Sequence, residues 1–169
     1  MMETTNTAAG PGRIRGKEDH MLKNIPPVLS PELLKVLAEM GHGDILAIGD
    51  ANFAAASIAK WGPHESVLVR CDGVKATEIL DAILTLMPLD TFVPDPVRIM
   101  DKDAIHEDLE CPVWDKFKEI VAKHDERGAD ACAMIPRGSF YAQAQNAYCV
   151  VATTETDFYA CVLLQKGCL

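Results

Sequence analysis

The sequence predicts a single α/β layered domain with a central, mostly buried sheet flanked by helices. Three observations lead there. Segments with helical apolar spacing alternate with short apolar runs. The run Ile45 to Ile48 is continuously apolar, yet short enough to be a strand buried on both faces. Over 169 residues, apolar side chains make up 49% and charged ones 24%, enough to close a core without disulfides or a structural metal.

The elements follow in order. Ser30-Pro31-Glu32 is a helix start, with a Ser cap, Pro at the first helical position and an acid in the first turn. Leu33, Leu34, Leu37 and Ala38 then fall at helical spacing, and Gly41 marks the end. The strand Ile45 to Ile48 stops at Gly49-Asp50. Val67 to Val69 is a second strand, closed by Asp72-Gly73. Ile79, Leu80, Ile83, Leu86 and Met87 form one face of a helix that Pro88 halts. Pro94 and Pro96 interrupt the next extended run, so only Val97 to Ile99 pairs well, and it is expected at a sheet edge. Pro112 opens a helix with Trp114, Phe117, Ile120 and Val121 on one side and the i,i+4 pair Glu119/Lys123. Ala131 to Ile135 reads as a strand and 139–147 as a short helix. Two strands, 148–153 and 159–164, end the chain, joined by the polar turn 154–157. The domain spans residues 21–169. Residues 1–20 have no apolar signal core and read as a disordered arm or leader, with Met21 resembling a second start.

Charge and cysteines narrow the function. With 16 Lys+Arg against 25 Asp+Glu, the net charge of −9 argues against broad nucleic-acid or anionic-membrane binding. No apolar stretch reaches the roughly 18 residues of a membrane span. The six cysteines form no C-x-x-C pair and read as reduced thiols of a cytoplasmic protein. No Cys/His cluster has zinc spacing, so no metal is expected.

Three stretches carry chemistry-bearing residues. His42 lies between Gly41 and Gly43, where little side-chain bulk surrounds the imidazole, and Asp50 lies at the far end of the following strand. Strand geometry puts the two roughly 15 Å or less apart. Arg137 and Tyr141 are four residues apart at a helix start, close enough for one pocket wall. Tyr159 and Cys161 open the last strand. A loop histidine, a solvated arginine and a packing tyrosine are the plainer readings of each stretch taken alone. His64, His106 and His124 have no partner at metal spacing, and no nucleotide-binding glycine pattern or nucleophile elbow is present.

Taken together, these stretches resemble the fucose mutarotase/ribose pyranase family, and the fucose branch most. The resemblance rests on the run from Leu29 to Asp44, Asp50 to Phe53, Asp72-Gly73, Pro88 to Thr91, Pro112 to Trp114, Phe140-Tyr141 and Leu163 to Gly167. It implies interconversion of the α and β anomers of a free sugar, L-fucose first, without metal or organic cofactor. It implies His42 as a proton-transferring residue and Tyr141 as a second catalytic group. It implies Asp50, Asp90, Arg137, Tyr159 and the position of Cys161 as sugar-binding. The family motif is usually Tyr-Gly-Asn where this chain has Tyr159-Ala160-Cys161, and a thiol is a weak partner for sugar hydroxyls. A binding-only homologue and a ribose pyranose–furanose isomerase therefore stay open as alternatives. Family members form homo-oligomeric rings, often decameric, in which a neighbouring subunit completes the site, and the resemblance implies the same here.

Overall fold

The computed structural model describes residues 22–169. The arm expected over residues 1–20 lies outside the described residues. Five helices surround one six-stranded sheet. In chain order they are α1 (Pro31–Glu39), β1 (Ile45–Gly49), α2 (Ala55–Trp61), β2 (Val67–Cys71), α3 (Ala76–Leu84), β3 (Val97–Met100), α4 (Val113–His124), β4 (Cys132–Ile135), α5 (Arg137–Ala144), β5 (Cys149–Thr153) and β6 (Val162–Gln165). Short 3-10 turns occupy Ala104–His106 and Gly128–Ala131.

The strand order is β2-β5-β1-β6-β3-β4. β1 is parallel to β5, β5 to β2, and β3 to β4, whereas β6 is antiparallel to both β1 and β3. Five strands thus run one way and β6 alone runs back between them. Alternate side chains serve two cores. Leu46, Ile48, Val97, Ile99, Val162 and Leu164 pack under α1, α3 and α4 with Phe117. Ala47, Val150 and Leu163 pack under α2 and α5 with Phe140. The layered α/β architecture expected from the sequence is therefore present, with helices on both faces.

Local chemistry explains most boundaries. Ser30 caps α1 by accepting from the Leu33 N–H at 3.1 Å. α3 ends at Leu84, which leaves Leu86 on the surface and Met87 buried. Three expectations are corrected. β3 is not an edge strand: it lies between β6 and β4, because both prolines precede it and so remove no ladder donor from it. The Pro96 carbonyl even accepts from the Gln165 N–H. The last two strands both form, but β1 is inserted between them, and β6 begins only at Val162. Tyr159, at φ 57°, turns the chain before pairing starts. α2 is an element the sequence reading passed over.

Candidate functional site

The strands have two ends, and site candidates gather at both. Side chains at the C-terminal ends of the parallel strands, together with the entry into β6, enclose a cleft of about 320 Å³. This is where ligands usually sit in open α/β sheets. Asp50 and Phe53 follow β1, Arg137 and Tyr141 stand on α5, and Tyr159 and Cys161 lead into β6.

Asp50 is buried and folds back on its own loop, its Oδ1 accepting from the Asn52 N–H at 2.9 Å. Its backbone N–H points at the Cys161 Sγ, 3.5 Å away. Burial, and then the Asp50 charge, push the Cys161 thiol well above its ordinary range, so it remains an uncharged and weak hydrogen-bonding group. Tyr141 leans on the Phe53 ring, with centroids 5.2 Å apart. Burial raises its phenol, Cys161 adds to that, and Arg137 opposes it. Gly49 makes this packing possible, because a Cβ there would run into the Phe53 ring.

Asp103 organises the other wall. Its carboxylate holds the Arg137 Nε at 2.8 Å, and its backbone N–H donates to the Tyr159 hydroxyl at 3.2 Å. The same hydroxyl lies 2.6 Å from the His106 Nδ1. The Trp114 indole N–H donates to the Tyr159 carbonyl, which helps hold the left-handed backbone there. His106, set aside in the sequence, is thus part of the cleft lining. Its only sequence signal would have been a partner 53 residues away.

His42 and Asp90 lie at the opposite ends of the strands, before β1 and β3 and beside the end of β6. A turn closed by the Gly41 N–H on the Asp44 Oδ2 at 2.7 Å, with Gly43 at φ 86°, presents the imidazole. The Gly43 N–H donates to the Lys166 carbonyl, and the Asp90 N–H to the Gln165 carbonyl, so both loops are tied to β6. The His42 Nε2 lies 3.2 Å from the Asp90 Oδ2, with His42 46% exposed and Asp90 only 2%. The Phe92 ring flanks the imidazole at 5.2 Å. Burial raises the Asp90 carboxyl, but the Phe92 N–H, His42 and the Gln165 amide outweigh it and hold the group below its ordinary range.

The seven residues named from the sequence therefore divide. Asp50, Arg137, Tyr141, Tyr159 and Cys161 meet in the cleft, while His42 and Asp90 pair across the sheet from it. Among the described residues no cluster of His, Cys, Asp and Glu is arranged to hold a metal, and no helix is long and apolar enough to cross a membrane.

The domain is thus an α/β fold with a cleft at the C-terminal ends of its parallel strands and an imidazole–carboxylate pair at their opposite ends. Residues 23–169 match the RbsD / FucU transport protein family, and the chain belongs to it. It is 43% identical to the fucose mutarotase of Danio rerio over 87% of this chain and 94% of that one. It is 42% identical to the fucose mutarotase of Homo sapiens over 88% and 94%. Among solved structures, FucU from Bifidobacterium longum superposes with a TM-score of 0.82 at 50% identity, covering 87% of this chain and 99% of that one. The fucose mutarotase of Streptococcus pneumoniae in complex with L-fucose gives 0.77 at 39%, covering 88% and 99%.

Proposed function

We propose that this chain is a mutarotase that interconverts the α and β anomers of a free monosaccharide, L-fucose first. The observation that carries this reading is a half-exposed imidazole, His42, braced by the buried carboxylate of Asp90. Relatives named fucose mutarotase, at 42–43% identity over most of the chain, support it.

The chemistry is two proton transfers. One proton leaves the anomeric hydroxyl while another is placed on the ring oxygen as the C1–O5 bond breaks. Closure on the other carbonyl face reverses both. A histidine changes charge near neutral pH and suits this work. General acid–base help of this kind is worth on the order of 10²–10⁴-fold, enough for a reaction that proceeds unaided. His42 supplies one proton site and Tyr141 the other. Asp50, Arg137 and Tyr159 hold sugar hydroxyls, the ionised ones through charge-assisted bonds, while Asp90 braces His42. No step calls for a cofactor.

His42 and the cleft flank β1, whose five residues span about 16 Å. One pyranose cannot reach both in a single chain. The working site is therefore shared: one copy brings the His42 end of the sheet, and its neighbour brings the cleft. Phe92 beside His42 and Phe158 on the cleft rim are 76% and 59% exposed, and burial between copies accounts for such large apolar groups. Six free cysteines suit the reducing cytoplasm.

A binding-only protein is the competing reading, favoured by Cys161, whose thiol replaces a better hydrogen-bonding group. Exchange NMR on L-fucose separates the two. Faster α/β exchange that His42→Ala abolishes supports the mutarotase. Saturation transfer to the sugar without faster exchange refutes it, and acceleration with ribose alone moves the assignment to a pyranose–furanose isomerase.

A further inference from the structure

Behind the His42–Asp90 pair runs a chain of hydrogen bonds whose direction is set at its far end. Arg98 on β3 is mostly buried, and its Nη2 donates to the Gln165 Oε1 at 2.7 Å. Its Nη1 donates to the Gln143 Oε1 at 3.0 Å, and Asp95 lies 3.7 Å from its Nε. A guanidinium has donors only, so Gln165 must turn its carbonyl toward Arg98. Its amide nitrogen then has to face Asp90, and it donates to the Oδ2 at 3.0 Å.

The carboxylate is nearly filled. Its Oδ1 accepts from the Phe92 N–H at 2.8 Å, and its Oδ2 takes Gln165 and the His42 Nε2 at 3.2 Å. Arg127 donates to the Asp90 and Val93 carbonyls and fixes the backbone of this segment. An ionised carboxylate accepts and cannot donate, so the hydrogen in the His42–Asp90 contact belongs to the Nε2. A neutral imidazole has one N–H. The lone pair is then on Nδ1.

We propose that Asp90 is a positioning residue for His42: with its Oδ2 steadied by Gln165, which Arg98 orients, the ionised carboxylate holds the neutral imidazole as its Nε2–H tautomer and leaves Nδ1 as the proton-accepting atom. The consequence for catalysis rests on the mutarotase reading above. In ring opening the anomeric O–H proton passes to Nδ1, and the O–H bonding pair becomes the second carbonyl bond. The C1–O5 pair goes to the ring oxygen, which takes a proton from the acid on the cleft side. The imidazolium formed faces the Asp90 carboxylate. His42 is thus the base of ring opening, and the acid is left to Tyr141.

The tautomer is measured on the sugar-free full-length protein by long-range 1H–15N correlation, with His42 identified by the resonance that His42→Ala removes. A protonated Nε2 and an unprotonated Nδ1 are expected. A protonated Nδ1 overturns the proposal with no variant needed. Asp90→Asn should give a mixture of tautomers, because an amide offers both a donor and an acceptor. It should also slow α/β exchange roughly tenfold, as loss of a histidine's outer partner does, with little change in L-fucose affinity. An unchanged tautomer and rate in Asp90→Asn also overturns it. Gln165→Met leaves the carboxylate facing the imidazole and should retain the Nε2–H form; a mixture there would place the control with Gln165 and overturn the assignment to Asp90. Wild-type protein that shows the Nε2–H form but does not accelerate exchange refutes the mutarotase reading and leaves the positioning role standing.

Discussion

Two variants that are each inactive, His42→Ala and Tyr141→Phe, should recover activity when they assemble together. Each removes a proton site, so each alone should lose on the order of 10²–10⁴-fold in α/β exchange rate. The two positions lie at opposite ends of the strands, separated by the length of β1. If one site takes His42 from one copy and Tyr141 from its neighbour, the damage in a mixed assembly falls unevenly. Some sites receive both lesions, and others receive neither. For random one-to-one mixing, each intact half is present with a probability of one half, so roughly a quarter of the sites are whole. The assay is exchange NMR on L-fucose after the two variants are denatured together and refolded, or produced together in one cell. About a quarter of wild-type activity is expected, far above either variant. Activity no greater than the mean of the separate variants would mean that the two groups do not share a site across copies.

Two other substitutions test the scaffold. Glu155 is 1% exposed, and its Oε1 accepts from the Thr156 N–H, the Asp157 N–H and Lys75. Burial raises its carboxyl, but the Asp157 N–H and Lys75 outweigh that and leave it below its ordinary range. Its contribution is therefore fully present above the unfolded-state value, near 4.3, and fades as pH falls through the lower folded value. Glu155→Gln should cost about 1–3 kcal/mol in urea unfolding at pH 7, with the gap from wild type closing in acid. A constant gap across pH would contradict the assignment. Gly49→Ala should force the Phe53 ring off Tyr141 and cost about 1–3 kcal/mol, with weaker sugar binding by calorimetry. Wild-type stability and affinity would show that the Phe53 packing is not tight.

The sequence was most legible where the signals were local. The Ser30 cap, the apolar run of β1 and the faces of α3 and α4 are written in contiguous residues, and each formed within a few residues of its expected bounds. α2 was missed because its buried face is mostly alanine, and Ala54 at its start makes no side-chain capping bond. The placement of β1 between β5 and β6 was not legible either. Strand neighbours are chosen by long-range burial, and nothing in the turn 154–157 records it. The site shows the same divide. Arg137 and Tyr141 were paired by helical spacing, and Asp50 by its place at the end of β1. The pairing of His42 with Asp90, 48 positions on, needed the fold, as did the entry of His106 into the cleft.

β6 is the one strand that runs against the rest, and this makes it a ruler. Its approach begins at Tyr159 and Cys161 on the cleft, and it finishes at Gln165 beside Asp90. Only Val162 to Leu164 lie between, all of them buried, with Leu163 facing one core and its two neighbours the other. A slip of one residue would turn all three to the wrong face. The same slip would draw the thiol and the amide out of place together. The hydrophobic alternation of three residues thus sets the spacing of polar atoms at both ends of the strand at once, and neither end can be retuned by sliding this strand without spoiling the other.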